Sequence, residues 1–342
     1  MVAVTSFMVA TSDAGRFFWI LALSVLGVLA LAIAGRRARG TTLIAAWGWA
    51  LASLSTLVIC ELLAAYSRDA NNSPAGWLVR LRYAAAITTF APTMAVLGAK
   101  RPQHRAWQFI VLALLGILAL PSFEAALFAV GPQPLDLHVA RRWFLAILIV
   151  VGLVNYLPTH TLPASLTYAL AQSFLLADYL PLVSLSRHEW LATAGLALMV
   201  TAFWMVALGW PGRRRSHGVD RLWLDFRDAY GMVWALRVQE RYNATAAKDG
   251  WPVRLGWRGM NCVEPAVGTD AIGAQSPDSV AARPPKSVAA QPPISVAARS
   301  PDRAAQEIDP AGPEVRGLTS LLRRFVSREW IARRLPAGGS RG

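Results

Sequence analysis

Seven long apolar runs, all before residue 211, constrain the fold of this chain more than any other feature. A bilayer core about 30 Å thick needs roughly 20 apolar residues in each crossing helix, and every run approaches that length. The chain is 55% hydrophobic and only 16% charged, a balance that soluble enzymes rarely have. We therefore predict an all-α integral membrane fold, a bundle of about seven transmembrane helices followed by a basic, partly disordered C-terminal tail. The predicted spans are Phe17–Ala34, Thr41–Tyr66, Tyr83–Ala99, Trp107–Val130, Trp143–Leu157, Leu162–Leu185 and Trp190–Trp210.

The third and fifth runs give the weakest of these predictions, because they are short and begin beside pairs of arginines. They can span only if those side chains extend to the interface. The first run is kept as a span, preceded by an outer segment at residues 1–16. A signal peptide is not indicated, because no basic residue precedes Arg16 and Asp13 lies just before the run.

The basic residues of the short loops predict the orientation of the bundle. Loops on the cytoplasmic side of membrane proteins carry an excess of arginine and lysine. One set of alternate loops is basic and contains no acid: Arg36, Arg37, Arg39, Lys100, Arg101, Arg105 and Arg213 to Arg215. We expect a bacterial inner-membrane protein with the N-terminus outside and the C-terminus in the cytoplasm.

Three acids, Glu61, Glu124 and Asp178, lie inside apolar runs near the predicted outer ends. One interpretation is that they form ion pairs that join helices, because a lone charge is unfavourable in lipid. Glu61 would then pair with Arg80 or Arg82, and Glu124 with Arg141 or Arg142. The other interpretation is a proton, cation or polar-ligand site that opens outward. These residues are the candidate intramembrane polar site.

No local motif predicts a catalytic residue, a metal ligand or a cofactor. The sequence lacks a G-x-S-x-G elbow, a Walker loop, a dinucleotide fingerprint and a C-x-x-C pair. "HEWLA" has Ala192 where a zinc protease needs its second histidine. Whether the chain is an enzyme stays open, and the absence of motifs favours the view that it is not.

An amphipathic helix is predicted directly after the spans, within residues 211–260. Apolar residues recur at three- and four-residue steps, among them Leu222, Phe226 and Tyr230. Asp249 and Gly250 end the helix, and Trp251 to Trp257 alternate as in a short strand. This helix is predicted either to lie on the membrane or fold back on the bundle, or to bind a cytoplasmic protein through its apolar face.

The remaining tail has two parts with different predicted structures. Residues 261–313 are rich in Ala, Pro and Ser, repeat an eight-residue unit, and are predicted to be a disordered linker. Residues 314–342 form a basic amphipathic helix, with Arg323, Arg324, Phe325 and Trp330 as candidate lipid or partner contacts. The net charge of +14 lies largely beside the spans, so anionic lipid rather than nucleic acid is the expected partner.

Two segments, "DRLWLDFRDAYGMVWALRVQERYNA" and "LRYAAAITTFAPTMAVLGAKRP", resemble uncharacterised multi-pass membrane proteins of bacteria. The outline of seven spans is also similar to the sensory input modules of bacterial histidine kinases, although the tail has neither the phospho-acceptor helix nor the ATP-binding glycines. Neither resemblance implies a reaction or a site.

Two functional hypotheses follow from the sequence. The first is a non-enzymatic sensor or scaffold whose juxtamembrane helix binds a cytoplasmic partner. The second is a transporter of a small solute or ion, or a membrane-embedded enzyme, that uses Glu61, Glu124 and Asp178.

Overall fold

The computed structural model describes residues 13–67, 76–101, 103–128, 137–181, 190–209, 218–262 and 312–335, together with Leu135. These residues are mostly helical. In this described part of the chain, eight α-helices precede residue 210: α1 Asp13–Ala38, α2 Ile44–Tyr66, α3 Gly76–Ile87, α4 Phe90–Leu97, α5 His104–Phe128, α6 Val139–Val154, α7 Leu162–Leu175 and α8 Trp190–Leu208. The following elements are α9 Gly218–Lys248, strands β1 Val253–Gly256 and β2 Gly259–Cys262, and helices α10 Pro313–Leu322 and α11 Arg328–Ala332.

Within the described residues, four helices are long and apolar enough to cross a membrane. They correspond to the first, second, fourth and seventh predicted spans: Gly15–Ala38, Ile44–Tyr66, Arg105–Phe128 and Trp190–Leu208. The prediction of seven such helices is therefore not supported. The third run forms two helices of 12 and 8 residues, the fifth forms one of 16, and the sixth forms one of 14, so all four are shorter than the four candidates.

The third run is divided between α3 and α4 by a turn at Thr88 and Thr89. Pro92 has no N–H to donate to the carbonyl of Thr88, four residues earlier. Ser53 on α2 donates to that carbonyl instead, with Oγ 2.7 Å from the oxygen. The helix is interrupted because proline removes one of its hydrogen bonds, and a neighbouring helix supplies the replacement.

The other two short helices also end at identifiable residues. In α6 the last helical residue is Val154, and the C-cap is Asn155, which is buried. Helix α7 gives way to a 3-10 helix, Ala177–Tyr179, shortly before Pro181. Hydropathy counts apolar residues but does not show where a helix ends, so both C-terminal ends were predicted too late, at Leu157 instead of Val154 and at Leu185 instead of Leu175.

Helices α1 to α8 pack into a bundle with two apolar cores. One core lies between α1, α2 and α8, and the other lies between α3, α4, α5, α6 and α7. Many large apolar side chains, such as Phe18, Phe109 and Phe128, face outward and are exposed. An outer surface of this kind is expected of helices that contact lipid.

The residues after the bundle form what we call the C-terminal unit, residues 218–262 and 312–335. Helix α9 packs against the β1–β2 hairpin and against α10. The hairpin pairs Val253 with Cys262 and Gly256 with Gly259 in antiparallel register. The sequence analysis predicted β1 but not β2. Of the predicted disordered linker, residues 263–311 lie outside the described part of the chain, whereas Asn261 and Cys262 belong to β2 and Pro313 begins α10.

The predicted final helix is divided in two. Helix α10 ends at Leu322, and α11 begins at Arg328 after Ser327, whose side chain accepts a hydrogen bond from the N–H of Trp330. Residues 323–327 between them run along the end of the bundle. We call residues 312–335 the C-terminal segment, and the end of the bundle that it contacts the proximal end.

Candidate functional site

Glu61 lies in a buried ion triad at the distal end of the bundle, remote from the C-terminal unit. Its side chain is almost fully buried. Arg82 Nε lies 3.0 Å from Oε1 and Arg82 Nη2 3.2 Å from Oε2, an arrangement that gives a bidentate pair. Arg16 Nη2 lies 3.0 Å from Oε2. The triad joins α1, α2 and α3 and satisfies both carboxylate oxygens of Glu61.

The other acids of the predicted polar site lie in different surroundings. Glu124 is 3.8 Å from Arg141, and both side chains are about half exposed. Asp178 lies in the 3-10 helix after α7 and is exposed. Glu61 and Glu124 thus belong to two separate pairs, with different arginines and different exposure.

At each of the remaining two arginines of the predicted site, Arg80 and Arg142, a hydrogen bond joins a side chain to a backbone carbonyl. The carbonyl of Arg80 lies 3.4 Å from Ser122 Oγ, which donates to it. Arg142 Nε donates to the carbonyl of Leu137 at 3.0 Å. Of the seven residues proposed from the sequence, the structure brings Glu61 together with Arg82, and Glu124 together with Arg141.

A second polar group, not predicted from the sequence, surrounds the break between α3 and α4. Tyr168 Oη donates to the carbonyl of Thr89 at 2.7 Å, and Gln172 Nε2 donates to the same oxygen at 3.1 Å. With Ser53, these side chains satisfy the carbonyls released by the turn. Non-helical backbone inside a bundle is tolerated when neighbouring helices satisfy its polar groups in this way.

The predicted contact face of α9 is covered by the chain itself. Leu222, Phe226 and Tyr230 are fully buried. Phe325 of the C-terminal segment meets Phe226 edge-on at 5.2 Å and Tyr230 at 5.4 Å between ring centroids. In this structure the face is therefore open neither to lipid nor to a partner, because the second amphipathic helix predicted from the sequence packs on it.

The C-terminal segment is also hydrogen-bonded to the proximal end of the bundle. The N–H of Thr42 donates to the carbonyl of Phe325 at 3.0 Å, and the N–H of Ser327 donates to the carbonyl of Gly40 at 2.6 Å. The N–H of Arg101 donates to the carbonyl of Arg324 at 2.9 Å. Two loops of the bundle thus pair with backbone of a segment more than 200 positions later in the chain.

Tyr230 lies where α9, the C-terminal segment and the loop between α1 and α2 meet. Its hydroxyl donates to the carbonyl of Phe325 at 2.9 Å and lies 3.1 Å from Thr42 Oγ1. Burial raises the pKa of this phenol to about 12, because the charged form would lose its water, while the bond to Thr42 acts in the opposite direction. The hydroxyl is therefore protonated and can donate near neutral pH.

Two charge pairs fasten the unit further. Arg334 Nε lies 2.6 Å from Asp225 Oδ2, and the guanidinium stacks 3.6 Å above the ring of Trp330. Arg227 Nη2 lies 2.8 Å from Asp228 Oδ1, in a buried pair. The first pair attaches the end of the C-terminal segment to α9.

Asn155 lies in the loop between α6 and α7 and connects this loop to α9. Gly231 interrupts α9 with φ +77°, a conformation that side chains other than glycine rarely adopt. Asn155 Oδ1 accepts from the N–H of Val233 at 3.1 Å, and its carbonyl accepts from the N–H of Met232 at 2.6 Å. Asn155 thus caps the second half of α9, and a Cβ at residue 231 would overlap its amide.

The candidate contacts in the C-terminal segment divide by exposure. Phe325 and Trp330 are buried in the core of the unit. Arg323 and Arg324 are exposed, and Arg324 lines a cavity beside α9. Only the two arginines are placed where an external partner could reach them.

Sequence reasoning missed several of these residues because their partners are distant in the chain. Arg16 lies at the start of the first run, where an arginine can extend to the interface, so its position did not indicate the pair with Glu61. Asn155 lies in "VNYLP" between two apolar runs, and asparagine is a residue type that often caps helices. The sequence gives no signal for the pairing of Asp225 with Arg334.

Among the described residues, no group of three or more His, Cys, Asp or Glu side chains is arranged to hold a metal ion. Comparisons of the chain with protein-family models, with curated proteins and with solved structures find no match, so the resemblances drawn from the sequence gain no support from them.

Proposed function

We propose that this chain is a non-enzymatic membrane sensor or scaffold whose C-terminal segment controls access to the partner-binding face of α9. The observation that carries the proposal is that the C-terminal segment packs on that face. Phe226 and Tyr230, which the sequence marks for partner contact, are buried against Phe325 of the same chain, and Leu222 is buried in the same core. A partner helix would occupy the face when the segment leaves it.

The connection between the two parts favours such an exchange. Residues 263–311 separate the C-terminal segment from β2 and consist largely of Ala, Pro and Ser repeats. A linker of this composition lets the segment leave and return without disturbing α9. Because the segment is tethered, docking is an intramolecular event with a high effective concentration, which an external partner must overcome.

The same proposal includes a topology of seven crossings in a bacterial inner membrane, with the N-terminus outside and the C-terminal unit in the cytoplasm. Three alternate loops, residues 39–43, 98–103 and 155–161, all contact the C-terminal unit, as expected if each pair of crossings returns the chain to one side. Helix α6, at 16 residues, is about 24 Å long, so its crossing requires Arg141 and Arg142 to extend to the interface. The basic loops give the orientation.

The decisive experiment compares three chains in the membranes of a host cell: the full chain, a chain ending at residue 311, and the shortened chain with Phe226→Asp. A photo-crosslinking residue replaces Ala229, which packs against the core of this face and is only partly buried. We expect a specific protein adduct in the shortened chain, a much weaker one in the full chain, and none with Phe226→Asp. An adduct independent of Phe226, or the absence of any adduct, would contradict the proposal.

The second candidate function is transport of a small solute or ion, or a reaction within the membrane. It is favoured by the interruption between α3 and α4, where backbone carbonyls of Thr88 and Thr89 point into the bundle, as in the broken helices of transporters. Glu61 lies beyond this break on the neighbouring helix. Loss of a solute flux in Glu61→Gln, with the fold intact, would favour this candidate over the sensor or scaffold.

A further inference from the structure

A cavity of about 330 Å³ lies where the C-terminal segment meets α9 and the second proximal loop. Lys100 and Gln103 line it from the loop, Arg237 and Arg241 from α9, and Arg324 from the C-terminal segment. Its volume is within the range of small-ligand sites. Because three separate parts of the chain form its walls, the cavity is complete only when the segment is docked.

The walls carry a large excess of positive charge. Lys100, Arg237, Arg241 and Arg324 are cationic, and Glu240 is the single acid among the lining residues. In the described part of the chain, no ion pair engages any of the four cations. Four like charges around one cavity repel one another, so a bound anion would stabilise the arrangement.

Aromatic side chains give the cavity a fixed wall. Trp234 and Phe325 line it and are buried, with ring centroids 5.0 Å apart. Trp234 Nε1 donates to the carbonyl of Val96 at 2.9 Å, and Arg237 lies over the Trp234 ring at 5.0 Å. This stacking restricts one guanidinium at the mouth of the cavity, which favours planar, bidentate recognition of phosphate oxygens.

The position of the cavity favours a lipid as the source of the phosphate. Gln103 is two residues before Arg105, where the candidate span of α5 begins. A headgroup in the adjoining leaflet would therefore lie within about one helical turn of the lining residues. Basic pockets at this level of a membrane protein suit anionic headgroups.

We infer that this cavity binds the phosphate headgroup of an anionic phospholipid and that the bound headgroup holds the C-terminal segment in place. Arg324 would contact the headgroup from the segment, and Arg237 and Arg241 would contact it from α9. The control of the α9 face by the headgroup rests on the proposed function, whereas binding of the lipid itself does not. Lipid composition would then be one signal that determines whether the α9 face is open.

The test uses the full chain in nanodiscs of phosphatidylcholine, with or without phosphatidylglycerol, and in phosphatidylcholine with inorganic phosphate. Native mass spectrometry measures retained phosphatidylglycerol, and amide hydrogen exchange measures docking of residues 321–327. The variant Arg237→Gln/Arg241→Gln removes two cavity charges. Its matched control, Arg316→Gln/Arg328→Gln, removes two exposed charges that do not line the cavity.

We expect phosphatidylglycerol to be retained and to slow exchange in residues 321–327. The cavity variant should retain it at least about tenfold more weakly, and the control should match the unmodified chain. Equal weakening in both variants would show general surface attraction and overturn the site. If inorganic phosphate alone slows exchange in residues 321–327 to the same extent, the assignment of the bound phosphate to a lipid would be overturned. Retention without slower exchange would overturn the effect on the segment, independently of any partner.

Discussion

The bundle and the C-terminal unit use apolar side chains in opposite ways. In the bundle, Phe109 and Phe128 are more than 70% exposed, whereas in the C-terminal unit Phe226 and Tyr230 are fully buried. The bundle has a buried ion triad and many exposed apolar side chains besides its apolar cores, while the C-terminal unit has an aromatic core inside and arginines outside. This difference is the one expected if lipid surrounds the bundle and water surrounds the unit, as the proposed topology requires.

The two regions also differ in how their contacts are distributed along the sequence. Most helices of the bundle pack against helices nearby in the chain, such as α7 on α8 and α1 on α2. The C-terminal unit depends on pairs such as Tyr230 with Phe325 and Asp225 with Arg334, which are about a hundred positions apart. Removing one residue from the unit should therefore release the C-terminal segment and leave the bundle folded.

The largest expected effect is that of Phe226→Ala. Phe226 is fully buried and stacks on Tyr230 at 4.6 Å between ring centroids. Truncation of a buried phenylalanine lowers the free energy of unfolding by about 3–5 kcal/mol. Pulse proteolysis should show this loss in the C-terminal unit, while peptides of α1 and α8 stay protected.

The matched control is Leu236→Ala on the same helix, since Leu236 is about half exposed. Its effect should stay within about 0.5 kcal/mol. If both variants lose the same stability, the aromatic face does not hold the unit together.

The next effect is expected in the bundle, with Glu61→Gln. The amide keeps the shape of the side chain but leaves Arg16 and Arg82 without their carboxylate. We expect a loss of about 3 kcal/mol in the free energy of unfolding, at the lower end for buried pairs because Arg82 retains some contact with solvent. Thermal unfolding of the purified chain measures it.

The corresponding control is Glu124→Gln, which removes a partly exposed pair with its atoms 3.8 Å apart. Such a pair contributes about 0–1 kcal/mol. An equal loss in the two variants would contradict the distinction between a buried triad and a surface pair.

A third effect concerns pH and separates the unit from the bundle. The pKa of Tyr230 is raised from 10.0 to about 12 in the folded state, so the folded chain holds this proton more tightly than the unfolded chain. Its stabilising contribution is complete below pH 10 and is lost as the pH rises toward 12. The slope attributable to Tyr230 should approach about 1.4 kcal/mol per pH unit in that window.

Equilibrium unfolding of the C-terminal unit between pH 9.5 and 11.5, roughly spanning that window, checks this expectation. Tyr230→Phe should be less stable at neutral pH, because it lacks the bond to Phe325, and should show a shallower alkaline slope. An unchanged slope would assign the alkaline loss to other groups, such as Tyr242, whose pKa burial also raises to about 12.

The smallest effect is expected for Asn155→Ala, at the contact between the two regions. The substitution removes the side-chain cap on the N–H of Val233 and should lower stability by about 1 kcal/mol. Amide exchange should accelerate at residues 232–234 and remain unchanged in β1 and β2. Acceleration throughout the unit would mean that the cap holds more than the second half of α9.

The sequence supported the helical class, α9 and the pairing of Glu61 with an arginine because each depends on local pattern or on the cost of a lone charge. It could not show what covers the faces of α9 and the final helix. A period of 3.6 residues reveals that Leu222 and Phe226 share a face, but not that Phe325 lies on it. The long linker between them lets the C-terminal segment reach many surfaces, so the sequence does not indicate which face Phe325 contacts.

The prediction of seven unbroken helices, each long enough to span, failed for a different reason. Apolar composition continued through Thr88, Thr89 and Pro92, so hydropathy indicated one segment where the backbone makes two helices. Pro92 was the local signal of that break, because it cannot donate a hydrogen bond to the carbonyl of Thr88, four residues earlier. Arg16 was missed as a partner of Glu61 because 45 positions separate them and no pattern links α1 to α2.

Amide hydrogen exchange on the full chain and on a chain ending at residue 311 tests the central claim most directly, that the C-terminal segment closes the proximal end. The account predicts that removing the segment accelerates exchange at Thr42 and Arg101, whose N–H groups donate to Phe325 and Arg324. Exchange around Glu61 should not change. Unaltered exchange at Thr42 and Arg101 would show that the segment does not dock there, and the proposed control of α9 would fail with it.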